Sequence, residues 1–394
     1  MKPTIALTIL TGALLSGMPC PVAYGQAAPD IVWKTNAHSG IVNAVAISPD
    51  STLVASASDD RTVQVRRVTD GVLVYRLTNH VWVVHGVAFS PNGQHLATAG
   101  DTTWRLWRVT DGTEVLAHIS DGEVFSVAFS PDSTILAASE GYYYARIRLY
   151  YVPSGVFVRQ IGASPTAFRS LVFSPDGGVI AESQIATSGT RLVDVLNGTW
   201  RLQVRWPVNC RFSPDGQFLV GAGAAFPGGP VEGRFIGIVT TSDGSLDRIL
   251  EGHEDGVLAV EYFPNGKVLL SSSLDNTIRL WRIASRKAIR VYDQETQGAG
   301  PIAMAPNGRF FAYGRRDGTV AVARVPVFIS HIQRQGARTI IEWEGGTGNY
   351  QVQQCTDLSN GLWENLGALT TDTSFTNQVG GAGCVFYRVQ NLAD

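Results

Sequence analysis

Seven times along the chain, a short apolar run leads into a Pro-Asp or Pro-Asn turn and emerges as a second apolar run. The leading runs read VNAVAIS, VHGVAFS, VFSVAFS, FRSLVFS, VNCRFS, VLAVEYF and PIAMA. The runs that follow read LVASAS, HLATAG, ILAAS, VIAES, FLVGAG, VLLSSS and FFAYGR. Apolar and small residues alternating over so short a span predict strands, and the turn between them predicts a hairpin, because Pro presets φ and Gly or Asn accepts positive φ. The turn prolines are Pro49, Pro91, Pro131, Pro175, Pro214, Pro264 and Pro306, spaced by 42, 40, 44, 39, 50 and 42 residues. A period of roughly 40–45 residues is that of one four-stranded blade. The expected fold is all-β, a seven-bladed β-propeller with a second, smaller β-sandwich domain.

Polar residues recur in register with the turns. His253, Asp275 and Trp281 accompany Pro264, and His80, Asp101 and Trp107 accompany Pro91. In both copies His stands 11 residues before the Pro and Asp six before the Trp. The first copy keeps His38 and Asp60 but has Arg66 at the Trp position. Elsewhere Ser120, Ser164, Gln203 and Glu295 stand at the His spacing, and Tyr150, Val193 and Ala323 replace Trp. From Ile31 to Val325 the chain resembles the WD40-repeat family. That resemblance implies a hydrogen-bonded network of His, Asp, a strand Ser or Thr, and Trp within a blade. A buried imidazole, carboxylate and indole N–H each need such partners. The reading of these residues is therefore structural. It also implies ring closure: Ile31–Lys34 is expected as the outer strand of the last blade, after Thr319–Arg324, which leaves no open edge. Insertions are expected between the second and third strands of copy three (Glu140 to Ala145) and copy five (Gly221 to Gly233).

After Pro326 the period changes. Residues 327–394 read as six short strands, FISHIQ, RTIIEWE, YQVQQC, WENLG, TSFTN and CVFYRVQ. They resemble a small fibronectin type III-like or immunoglobulin-like β-sandwich, with Trp343, Tyr350 and Tyr387 as core aromatics. Cys355 and Cys384 are the candidate disulfide pair of this small domain, and Cys210, on the apolar side of a strand, is expected as a buried free thiol.

Residues 1–27 read as a signal peptide, with Lys2 before an apolar stretch (Ile5 to Leu15) too short to span a bilayer. The domains are thus expected at 1–27, 28–326 and 327–394, and the protein is expected to be exported: secreted, periplasmic or at the cell surface. Lys and Arg total 31 against 33 Asp and Glu, a net charge of −2 with no basic run. That balance argues against a nucleic-acid partner. No later stretch is apolar enough for a membrane helix.

Candidate chemistry is sparse. His253-Glu254 begins like a zinc-protease motif, but Val257 stands where the second His belongs. Gly221-Ala-Gly lacks the third Gly and the helix of a dinucleotide loop. No metal or cofactor is expected. The aromatic residues are more telling: in the family's topology the His and Asp loops share one face, and Trp82, Tyr142, Tyr143, Tyr144 and Phe226 fall on or near it. Exposed aromatics there would anchor a protein or peptide partner. The residues are read as a non-enzymatic binding scaffold. The alternative is a lactonase-like propeller hydrolase with a site at the central channel, for which the sequence offers no His/Asp/Glu set beyond the repeat motif.

Overall fold

The computed structural model describes residues 29–391 apart from 142–144, 165–167, 185–188, 205–207, 223–232, 293–298, 326–327, 336–337, 345–349, 356–363, 371–373 and 379–385. The signal-peptide reading of residues 1–27 lies outside this range. Among the described residues there are two compact units, one of 29–307 with 311–323 and the other of 308–310 with 324–391.

The larger unit is a ring of seven four-stranded antiparallel sheets. Blades one to six follow the chain, over residues 42–77, 84–119, 124–164, 168–204, 208–250 and 257–292. The first strand of each blade touches the first strand of the next, and Ala299–Met304 of blade seven touches Val42–Ile47 of blade one, so the first strands surround the axis. Blade seven is composite. Its outermost strand is Asp30–Asn36, paired to Thr319–Arg324, so the N-terminal strand closes the ring, extending one residue before and two beyond the expected Ile31–Lys34. Sequence logic and topology agree here because an unpaired Thr319–Arg324 would leave an open edge on a strand buried almost throughout.

Second strands are small and buried: Leu53–Ser58, His95–Gly100 and Ile135–Glu140 are each sealed after their first residue. Ala and Ser are favoured there because both faces of a blade pack on neighbours. In all seven blades the first strand is irregular near its start, at Val42/Ala44, Val84/Gly86, Val124/Ser126, Phe168/Ser170, Val208/Arg211, Val257/Ala259 and Ala299/Ile302. A bulge at that point re-aims the chain into the loop that carries the His.

The opposite turns repeat a second device. Ser48, Ser90, Ser130, Ser174 and Ser213 each give a hydroxyl hydrogen to the Asp or Asn two residues on, which in turn accepts a backbone N–H. These are Asx-type turns, which fix the hairpin without help from the rest of the blade. Trp104, in the third strand of blade two (Thr103–Arg108), is 1% exposed.

The smaller unit has two three-stranded sheets. One joins Phe328–Gln335, Arg338–Glu344 and Ser374–Gln378; the other joins Glu364–Thr370, Tyr350–Cys355 and Phe386–Asn391. They share one core of Ile341, Trp343, Tyr350, Val352 and Val389, with the Trp343 and Tyr350 rings edge to face at 5.6 Å. The side chains of Tyr387 and Cys355, and all of Cys384, lie outside the described residues, and with them the candidate disulfide.

Candidate functional site

The His/Asp face is built from three blades in the same way. In blade six, His253 Nδ1 is 2.7 Å from Asp275, His253 Nε2 is 2.7 Å from Ser271 Oγ, and Trp281 Nε1 donates to Ser271 Oγ at 2.8 Å. Blade two has His80 Nε2 at 2.8 Å from Thr98 Oγ1, Trp107 Nε1 donating to Thr98 at 2.9 Å, and a longer His80–Asp101 separation of 3.5 Å. Blade one places His38 3.0 Å from Asp60 and 2.8 Å from Ser56. Here Arg66, at the Trp position, turns to Gln64 and the Gly71 carbonyl.

The proton inventory allows one consistent direction. An indole N–H can only donate and a carboxylate can only accept. Trp therefore donates to the hydroxyl, the hydroxyl to His Nε2, and His Nδ1–H to Asp. This assignment needs neutral imidazoles, and burial does push His38, His80 and His253 down, His80 to about 4. Burial works in the opposite sense on Asp60, Asp101 and Asp275. Thr62, Thr103, His253 and backbone N–H donors outweigh it and hold all three carboxylates below their ordinary value. Each group spends its capacity inside its own blade.

Those carboxylates also fix the loops. Ser39, Val81 and Glu254, the residues after the three histidines, each donate a backbone N–H to the same Asp at 3.1, 2.9 and 3.0 Å. The loop between blades is thereby held, and what it carries next is displayed. In blade two it carries Val81 and Trp82, 63% and 65% exposed. Arg61 of blade one approaches the Trp82 ring at 5.9 Å. Ile41, in the blade-one loop, is also exposed. Tyr142, Tyr143, Tyr144 and Phe226, placed on this face by sequence, lie outside the described residues.

Blades three and four, which lack the His, use ion pairs that sequence spacing did not reveal. In blade three, Tyr150 replaces Trp; its hydroxyl donates to Glu140 at 2.7 Å and lies 3.0 Å from His118. Glu140 is buried and paired with Arg148 at 2.8 Å, and Arg148 reaches Asp121 at 2.7 Å. Blade four buries Glu182, on the strand position of Thr98 and Ser271, 3.5 Å from Arg191. The signal was present as a Glu inside an apolar second strand with an Arg across the register, Glu182 opposite Arg191. Gln203 lies within Trp200–Val204, so the 11-residue spacing does not locate the loop in blade five.

On the axis, Arg211 of blade five bonds Glu261 of blade six at 2.7 Å, and His85 sits 2.8 Å from Glu123 while stacked on Phe125. Among the described residues no three His, Cys, Asp or Glu side chains are grouped to hold a metal ion, and no helix is long and apolar enough to cross a membrane. Cys210 is a buried free thiol 3.6 Å from Ser183.

Seven four-stranded blades, closed by the N-terminal strand and in three of them locked by His, Asp and hydroxyl groups, define a β-propeller of the repeat class. Residues 30–66, 71–108, 113–149 and 244–282 match the WD domain, G-beta repeat. Each match starts at the outermost strand of one blade and runs through three strands of the next, the phase that places Asp30–Asn36 before blade one. Four stretches of the chain thus match the WD repeat, and the described residues form a seven-bladed propeller. The chain is similar to an uncharacterised WD repeat-containing protein of Synechocystis, 31% identical over 40% of this chain and 46% of that one. It is also similar to actin-interacting protein 1 of Drosophila melanogaster, 26% identical over 59% and 38%. A third relative is transcription initiation factor TFIID subunit 5 of Caenorhabditis elegans, 23% identical over 55% and 32%. The chain spans less than half the length of each of these relatives.

Proposed function

We propose that this propeller is a non-enzymatic binding scaffold that receives a protein or peptide partner on its His/Asp face. The observation that carries the reading is Trp82, 65% exposed on a loop whose backbone is pinned by Asp101. A large rigid side chain on a fixed loop anchors an interface at low ordering cost, and Trp is the residue most often found in that role. Val81 and Ile41 are further exposed apolar residues in the loops that follow His80 and His38. Relatives named as an actin-interacting protein and as a subunit of an initiation factor support the reading by analogy. Tyr142, Tyr143, Tyr144 and Phe226 belong to the proposed arc by their place in the sequence. We place the protein outside the cytoplasm from its signal-like N-terminus, with the fibronectin type III-like sandwich as spacer or second contact.

The test is capture of a partner on the immobilised exported form, its identification, and titration of the purified pair. Trp82→Ala is expected to weaken that complex by roughly 30-fold or more, as truncation of a central anchor does. Equal affinities for wild type and Trp82→Ala would remove the face from consideration.

A further inference from the structure

On the side of the Asx turns, neighbouring blades are joined by a plug. A side chain from the outermost strand of one blade fits under the hairpin between the third and fourth strands of the next. Trp33 of blade seven lies against Gly71 and donates Nε1–H to Val68 O at 2.8 Å. Tyr75 of blade one lies against Gly112, its hydroxyl donating to Val109 O at 3.0 Å. The glycines are required, since a Cβ at either would come within 2.8 Å of the ring and both have φ near +70°.

Between blades four and five the plug is short and aliphatic, as it also is at Leu116 against Gly155 and at Ile161 against Gly198. Leu202 pairs with Leu192 as Tyr75 pairs with Val65, and it meets Gly244 as Tyr75 meets Gly112. It has no polar end and no ring. Thr241, first past its strand as Val68 and Val109 are past theirs, is left lining a groove of about 410 Å³. The inner wall is Val179, Leu192 and Phe212, and the turn carboxylates Asp176 and Asp215 stand at its edge, one from each blade. Each carboxylate uses one oxygen for its own turn, accepting Ser174 and Gly178 N–H, or Ser213 and Gln217 N–H. Oδ2 of each has no hydrogen-bond partner among the described residues. Arg201, also at the groove, bonds Asp194 at 2.6 Å, and its charge also helps hold Asp176 ionised without a hydrogen bond to Oδ2.

We propose that this groove is a second binding site, taking an arginine side chain from a peptide partner. The apolar wall accepts the methylene stem, as snorkelling side chains require, and the two carboxylates accept the guanidinium. A planar fork of five donors spans two acceptors on separate turns better than a point charge does, which favours arginine over lysine. The groove's volume lies within the range of small-molecule sites. The site is on the face opposite Trp82 and stands whether or not the proposed function does.

The test titrates the purified full chain with acetyl-Gly-Arg-Gly-amide, and with the Glu analogue as control, by calorimetry at low salt. Wild type is expected to bind the Arg peptide saturably and the Glu peptide not at all. Asp176→Asn with Asp215→Asn should weaken binding by roughly tenfold or more, through loss of charge-assisted bonds. The fold should tolerate this pair, because Asn92 holds the same turn in blade two, accepting Ser90 at 2.7 Å and Gln94 N–H at 3.0 Å. Leu202→Tyr, which restores the plug of blade one, should abolish binding; if that variant does not fold, the Asn pair decides. Absence of saturable binding by wild type, or binding unchanged in the Asn pair, overturns the proposal. So does binding lost in Trp82→Ala but retained in the groove variants.

Discussion

Deleting residues 29–36 is expected to cost the propeller on the order of 5 kcal/mol or more, a loss comparable to the whole stability of many domains. The segment does three jobs. It supplies the outermost strand of blade seven, pairing with Thr319–Arg324, whose Val320, Ala321, Val322 and Ala323 are fully buried. Around its end, Thr319 donates its hydroxyl to Asn36 at 3.0 Å and His38 donates its N–H to Gly318 O at 3.0 Å. It also carries Trp33, which crosses to blade one and bonds Val68 O. Without it a sealed strand becomes an open edge and two blades lose their join. Trp33→Ala removes only the plug and should cost about 2–3 kcal/mol, the range for burying a large side chain. Melting curves followed by circular dichroism check both, and an unchanged midpoint in the deletion would contradict closure by this strand.

Acid is expected to loosen the ring in two steps. Burial depresses His38, His80 and His253 below the ordinary 6.5, His80 to about 4. Between those limits the unfolded chain binds a proton that the folded chain refuses, so stability falls as pH falls from about 6.5 to about 4. His80 alone accounts for ~3 kcal/mol over that window. Asp60, Asp101 and Asp275 are depressed carboxylates; their contribution is present above 3.8 and is lost only as pH falls below it. Urea midpoints at pH 7.5, 5.5 and 4.5 should therefore decline steadily, and His80→Asn should flatten the slope. A midpoint independent of pH across this range would show that the imidazoles are not held neutral.

Much of the architecture was legible in the chain because turn chemistry is local. Pro, Asp and Gly at Pro49-Asp50 or Pro175-Asp176-Gly177 announce a hairpin whatever surrounds them, and seven such turns in register specify seven blades. The N-terminal strand was legible by the same counting, since the last copy lacks a fourth strand. The His/Asp/Trp networks of blades two and six were visible as fixed spacings. The rewired blades were not. Glu140 with Arg148 and Tyr150 satisfies the same need for buried partners by contacts that depend on strand register, Glu182 with Arg191 does so in blade four, and the 11-residue rule passes over both. The plugs were hidden for a further reason: Trp33 and Val68 meet across two blades, and neither residue alone signals the other.

Set beside its weaker copies, blade six (His253, Asp275 and Trp281) is a lock, and functional interest moves to the loops such locks hold. The most direct measurement of that division is equilibrium urea unfolding at pH 7.5 of Asp275→Ala beside Trp82→Ala. Asp275 accepts from His253 at 2.7 Å, from Glu254 N–H at 3.0 Å and from Thr277 at 2.7 Å. Its removal leaves these donors unmatched and should cost about 3 kcal/mol. Trp82, standing clear in solvent, should unfold within ~0.5 kcal/mol of wild type. If Trp82→Ala instead loses as much stability as Asp275→Ala, the ring is packing and the His/Asp face is not a free surface.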